Sequence, residues 1–287
     1  MNKIIKNTWK ITCYPLLYMV IQTMVSYAYM FVLGVIIGIE EGLTGVYLTT
    51  EEAVLLVQAR MEHGVTTIIS VTILFLIIYS KLKKEWKINA FWSFNKIKTT
   101  YIILYFVLGF ALNITMIGVL NMLPESLTQQ PIDGLIGNNI ILELVSIALF
   151  APVLEEIIYR SIIQKHLIKI MKLPVALVLQ ALIFALVHFS FVQGTYAFIL
   201  GIIVGLVYIW SGSIWSAIIV HVAFNATSVV MTNILGDAEI NLVYFGISAV
   251  AGLAISIVCM VVLAKKRIVI DNIDMEIEEE VVATENV

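Results

Sequence analysis

Residues 242–264 read Leu242-Val-Tyr-Phe-Gly-Ile-Ser-Ala-Val-Ala-Gly-Leu-Ala-Ile-Ser-Ile-Val-Cys-Met-Val-Val-Leu-Ala264, and Lys265, Lys266 and Arg267 follow at once. The run carries no charge, and it meets the requirement of roughly 20 apolar residues for a helix that crosses about 30 Å of hydrocarbon. It is continuous, without the short alternating segments of a membrane barrel, so a helix is expected. Working outward, comparable runs lie at 13–39, 64–80, 100–120, 138–158, 173–190, 196–211 and 214–235. The expected fold is therefore all-α: a polytopic membrane helical bundle of about eight transmembrane helices.

Composition agrees with this reading. Of 287 residues, 61% are hydrophobic and 13% are charged, against about 25% charged in an ordinary globular domain. So few charges cannot cover the surface of a soluble protein of this length, which excludes a cytosolic enzyme, a disordered chain and a nucleic-acid binder. Cys13 and Cys259 are the only cysteines, so neither a disulfide framework nor a cysteine-based metal site is expected. The opening Met1-Asn-Lys-Ile-Ile-Lys has the charge of a signal peptide. However, the apolar run after Lys10 exceeds the ~7–15 residues of a signal core, and it reads as a retained first span.

Basic residues set the orientation. Lys3, Lys6 and Lys10 precede the first run; Lys81, Lys83, Lys84, Lys87, Lys96 and Lys98 lie between the second and third. Arg160, Lys165, Lys169 and Lys172 lie between the fourth and fifth, and Lys265, Lys266 and Arg267 follow the last. With both termini cytoplasmic, all of these fall inside. Arg60 alone of the 17 falls outside, among Glu40, Glu41, Glu51, Glu52 and Glu62. The expected organisation is three N-terminal helices with an acidic outer loop over 1–137, a core over 138–235, a final helix over 236–267 and an acidic cytoplasmic tail over 268–287. No internal repeat is visible, which weakens a secondary-transporter reading.

Ionisable side chains inside apolar helices are costly and are functional candidates by default. The first half of the chain has almost none within its runs, whereas the second half gathers several. In Ala151-Pro-Val-Leu-Glu-Glu-Ile-Ile-Tyr-Arg160, Glu156 and Arg160 stand one helical turn apart and can pair. Glu155 points about 100° away from Glu156, so the two carboxylates have different surroundings. Pro152 cannot donate to the carbonyl of Ala148, and a bend is expected there. Phe184 and His188 share a face, as do His221 and Asn225. Counting at 1.5 Å per residue puts Glu155 about 15 Å in from Lys165, His221 about 10 Å in from the Ser211–Ser213 turn and His188 roughly 20 Å in from Pro174. On those depths the three meet only if the helices tilt or begin at different levels.

These residues resemble the CPBP family, also called the Abi or CAAX-protease (Rce1-like) family, whose pattern is Glu-Glu-x-x-x-Arg, Phe-x-x-x-His and His-x-x-x-Asn in that order. Here the three stand at Glu155–Arg160, Phe184–His188 and His221–Asn225, and the stretch from Gly201 to Trp215 is similar as well. The resemblance covers about residues 138–235. Tyr159 stands where Phe is usual and Ser161 where Gly is usual, and neither change removes a reactive group. The resemblance implies an intramembrane endopeptidase that hydrolyses a peptide bond of a membrane-associated peptide or protein. It implies Glu155 as the base for water, His188 as its holder, His221 and Asn225 as donors to the oxyanion, and Glu156 with Arg160 as a supporting pair.

Glu155, His188 and His221 could also be read as ligands of a catalytic zinc. No His-Glu-x-x-His pair is present, and a ligating glutamate would serve poorly as the base, so the expectation is a metal-free reaction, with zinc second to it. The same residues also fit a non-catalytic peptide-binding or immunity membrane protein and, further off, a proton-coupled transporter. The expected setting is the lipid bilayer of a bacterial plasma membrane, with no nucleic-acid partner. The orientation is directly testable in a background lacking Cys13 and Cys259. A cysteine at Lys84 is expected to be protected from an impermeant thiol reagent in intact cells, and one at Glu41 to react; the reverse pattern would invert the topology.

Overall fold

A computed structural model describes residues 3–85, 93–124, 139–235 and 241–265. The acidic tail at 268–287, the basic residues Lys87, Lys266 and Arg267, and most of the segment joining the third and fourth expected spans lie outside the described residues. Among the described residues every element is helical: α1 (Lys3–Thr44), α2 (Thr50–Ala59), α3 (His63–Glu85), α4 (Thr99–Leu120), α5, α6 (Leu173–Leu186), α7 (Phe191–Ser211), α8 (Ile214–Leu235) and α9 (Leu242–Lys265). The run designated α5 is continuous but changes pitch. It passes through Ile140–Glu143, the π-helical Leu144–Phe150, Ala151–Glu156, the π-helical Ile157–Gln164 and Lys165–Ile168.

Six of these helices, α1, α3, α4, α7, α8 and α9, are long and apolar enough to cross a membrane. The two remaining expected spans take different forms. The run at 138–158 belongs to the interrupted α5. The run at 173–190 becomes α6, only 14 residues long, or about 21 Å of helix. It stops at Leu186, Phe189 has a left-handed backbone (φ 51°), and α7 begins at Phe191 rather than 196. Ser190 sets that start by accepting a hydrogen bond from the Gln193 N–H at 3.2 Å, an N-cap that apolar-run counting does not see.

The acidic outer loop also proves to hold structure. Thr49 and Glu52 form a capping box: the Thr49 hydroxyl accepts from the Glu52 N–H at 3.3 Å and the Glu52 carboxylate accepts from the Thr49 N–H at 2.8 Å. Such a reciprocal pair satisfies free donors at a helix start, and α2 follows. The Thr49 N–H and hydroxyl hold the Glu52 carboxyl below the usual carboxylate range.

At the centre stands α5, whose residues from Ile157 to Gln164 are all buried, as befits a helix surrounded on every side. Helices α1, α3, α6, α7 and α8 pack around it, while α4 lies between α8 and α9. The α4–α8 approach depends on Gly109, where a Cβ would fall 2.2 Å from the carbonyl oxygen of Val220. Small residues permit such backbone proximity between membrane helices. Gly109→Leu should push α8 outward, costing about 1–3 kcal/mol as overpacking does. The expected readout is a lower melting temperature in detergent than wild type.

Candidate active site

The site begins with the two consecutive glutamates on α5. Glu156 is fully buried, while the side chain of Glu155 retains 19% of its exposure. His221 on α8 stands between them. Its Nδ1 lies 2.8 Å from Glu156 Oε1 and its Nε2 lies 3.6 Å from Glu155 Oε2. A carboxylate only accepts, so Nδ1 carries the proton and Nε2 is the nitrogen that faces Glu155.

Glu156 is held from its other side by Arg160, which donates from Nε to Oε2 at 2.6 Å and from Nη2 to Oε1 at 3.4 Å. The guanidinium is itself buried. Its Nη1 donates to Gln180 Oε1 and, at 3.3 Å, to the Gly201 carbonyl. Gln180 Nε2 donates to that same carbonyl at 2.9 Å. Gly201 makes this convergence possible, because a Cβ there would sit 3.0 Å from Ala181 Cβ; without one, α7 comes close enough to α6 for its backbone to be reached.

His188 lies just beyond the end of α6, with Nδ1 2.8 Å from the Phe184 carbonyl oxygen. A carbonyl also only accepts, so Nδ1 carries a proton and Nε2 is the nitrogen left for other partners. The Phe184 ring joins the two histidines, meeting His188 edge-on at 4.9 Å and His221 at 5.8 Å between centroids. Tyr159 meets it edge-on from the α5 side at 4.8 Å between centroids. Hence Glu155, Glu156, Arg160 and His221 form one chain of polar contacts, with His188 attached through an aromatic wall.

Asn225, one turn after His221, is tied elsewhere. Its Nδ2 donates to the Ile147 carbonyl at 3.0 Å. Pro152 accounts for this bond. Ahead of it the helix takes the π register, and the Ala151 N–H returns to Ser146. In that i→i+5 register the carbonyl of Ile147 would pair with the N–H of residue 152, which proline lacks. Asn225 fills the vacancy and bolts α8 to α5. At Pro152, where the sequence predicts a bend, the helix carries this π-helical segment just ahead of the proline.

The α7–α8 turn is covered. Ser213, Ile214 and Ser216 are buried, and residues 93–95 lie over them: the Ile214 N–H donates to Ser93 O at 3.0 Å, Asn95 Nδ2 to Gly212 O at 2.8 Å and Ser213 Oγ to Asn95 O at 2.6 Å.

Sequence reading singled out neither Gln180 nor Gln164, which donates to the Gly205 carbonyl at 3.1 Å. Both were marked by spacing. Gln164 continues the Glu156–Arg160 stripe by one turn, and Gln180 precedes Phe184 and His188 at the same interval. Glu143 was also missed; it is buried and accepts from Asn233 at 3.2 Å. Among the described residues, no three His, Cys, Asp or Glu side chains converge as ligands for a metal ion. In this arrangement each histidine has one nitrogen committed to a protein acceptor.

A family model described as "Type II CAAX prenyl endopeptidase Rce1-like" matches residues 137–227. That stretch runs from the segment before α5 to His221 and Asn225, the same part of the chain in which the motif resemblance lies. The match makes this core similar to CAAX-type endopeptidases, on a chain that is a multi-pass integral membrane protein. No curated protein and no solved structure matches the chain.

Arg160→Ala would leave Glu156 buried and short of its cationic partner, a loss that typically costs about 3–5 kcal/mol. A large drop in melting temperature is expected, with a smaller one for Gln180→Leu, which strands a donor at about 1–3 kcal/mol. Equal stability of all three proteins would show that the pair does not hold the bundle together.

Proposed function

We propose that the protein hydrolyses a peptide bond of a membrane-associated peptide or protein with a water activated by Glu155. The observation that carries this reading is the position of Glu155: a partly open carboxylate beside His221 Nε2, next to a second carboxylate already committed to Arg160 and His221. Peptide hydrolysis requires a base for water, a stabiliser for the oxyanion and an acid for the leaving amine.

Glu155 takes a proton from water as the water oxygen bonds to the scissile carbonyl carbon. His188 Nε2, with its free lone pair, accepts the other water hydrogen and fixes its orientation. His221 works in its doubly protonated form, held by Glu156 through Nδ1, and donates from Nε2 to the oxyanion. Asn225 has a second amide hydrogen beyond the one given to Ile147, and we assign that hydrogen to the same oxyanion. As the C–N bond breaks, Glu155 returns its proton to the amine. The reaction is metal-free in this reading, with Nε2 of each histidine turned to water or oxyanion because Nδ1 is held by a protein acceptor. A bacterial plasma membrane is the proposed setting.

Glu155→Gln keeps the side-chain volume and removes the base, so the protein should fold and insert while activity falls by about 10²–10⁴. The test compares peptides from membranes carrying wild type or Glu155→Gln, then repeats the cleavage found with purified protein stripped by a chelator. A peptide that disappears only in the variant, together with metal-free cleavage, is expected. Identical peptide sets would favour a binding or immunity role, and reversible loss on stripping zinc would replace the glutamate reaction with a metal one.

A further inference from the structure

A second cavity, of about 110 Å³, opens at the end of the bundle where α4 begins and α7 and α9 end. It shares no residue with the carboxylate–histidine site. Lys96 and Lys98 form its rim, and among the described residues neither has a carboxylate partner. Its walls are Tyr101 and Trp210, and Val207 and Leu263 form its floor.

The lysines are not carried on a loose loop. On one side, residues 93–95 are fastened to the α7–α8 turn by the bonds through Ser93 and Asn95, with Tyr208 also donating to Ser93 Oγ at 3.3 Å. On the other side, Lys98 is the N-cap residue of α4, so the two-residue interval is pinned at both ends. Deeper in, Tyr105 of α4 and Ser211 of α7 line the cavity beneath the rim. The cavity is thus a fixed amphiphilic shape, with two cations over an apolar and aromatic interior at the level where a bundle meets lipid headgroups.

We propose that this cavity binds the phosphate of an anionic phospholipid from the adjoining leaflet. Lys96 and Lys98 contact the phosphate, and the acyl chains leave across Tyr101, Trp210 and Leu263. Two uncompensated ammonium groups select negative charge over a zwitterionic headgroup, as basic pockets at membrane interfaces do. The apolar floor selects a lipid over free phosphate, since only a lipid covers it. Aromatic residues with one wet and one apolar end suit that depth.

The experiment uses the purified full chain in mixed micelles with equimolar phosphatidylglycerol and phosphatidylcholine of the same acyl chains. Bound lipid is counted by native mass spectrometry, and melting is followed with each lipid and with inorganic phosphate. Wild type should retain phosphatidylglycerol in preference to phosphatidylcholine and melt higher with it alone. Lys96→Gln/Lys98→Gln should lower that retention roughly tenfold or more, and Lys96→Arg/Lys98→Arg should keep it. Lys169→Gln/Lys172→Gln removes the same charge elsewhere and should leave retention unchanged. Equal loss in that control, no preference between the lipids, or equal stabilisation by inorganic phosphate would each overturn the proposal. Because the rim lysines are exposed, the variants should melt like wild type in phosphatidylcholine.

Discussion

A carboxylate with no solvent around it requires compensation from every side, and Glu156 organises the bundle because of that requirement. Moving a charge out of water costs several kcal/mol even after relaxation. Glu156 meets that cost with three donors, two from Arg160 and one from His221. Arg160 is buried too, so its other donors need partners, and the two Nη1 hydrogens find them in Gln180 and the Gly201 carbonyl. Each requirement recruits another helix: α8 for His221, α6 for Gln180, α7 for Gly201. The same interaction fixes a proton on His221 Nδ1. The pair on α5 therefore sets packing and protonation together, and the reactive glutamate stands one residue away with its own carboxylate left open.

A second constraint comes from Pro152. Its missing N–H shifts the preceding stretch to a π register and orphans the Ile147 carbonyl, to which Asn225 responds. In hydrocarbon an unsatisfied carbonyl is expensive, so this bond has a strong reason to form. It ties α8 to α5 one turn from His221. A residue with a chemical assignment from motif alone thus also has a structural one, and the two draw on different hydrogens of one amide.

The helical class and the limits of α3, α4, α8 and α9 were legible because lipid demands long apolar runs, and nothing else in the chain mimics them. The Glu156–Arg160 pair was legible because helical spacing alone brings those groups together. The link from Glu156 to His221 was not, since it joins residues 65 positions apart and no local pattern encodes it. Gln164 and Gln180 lay on stripes already read but are uncharged, and charge was the signal sought. The outer helix α2 was hidden by its acidic composition, although the Thr49–Glu52 spacing marks its start. The short α6 was misjudged because Phe189, Ser190 and Phe191 extend the apolar run while the backbone turns at Phe189.

That turn also shapes the candidate site. A left-handed conformation at a bulky non-glycine residue costs about 1–2 kcal/mol, so something must hold Phe189 there. The Ser190 cap and the His188 bond to the Phe184 carbonyl do so from either side. Ending α6 after 14 residues places His188 in the turn that leads to α7. On the other element, residues 93–95 cover the α7–α8 turn and bury the start of α8 at Ile214. Irregular backbone at membrane depth survives where protein buries it or where it borders a polar cavity. Here the break borders the Phe184 ring, which meets both His188 and His221 edge-on. The break after α6 and the covered start of α8 thus bring histidines from two different elements to one ring, beside the consecutive carboxylates of α5.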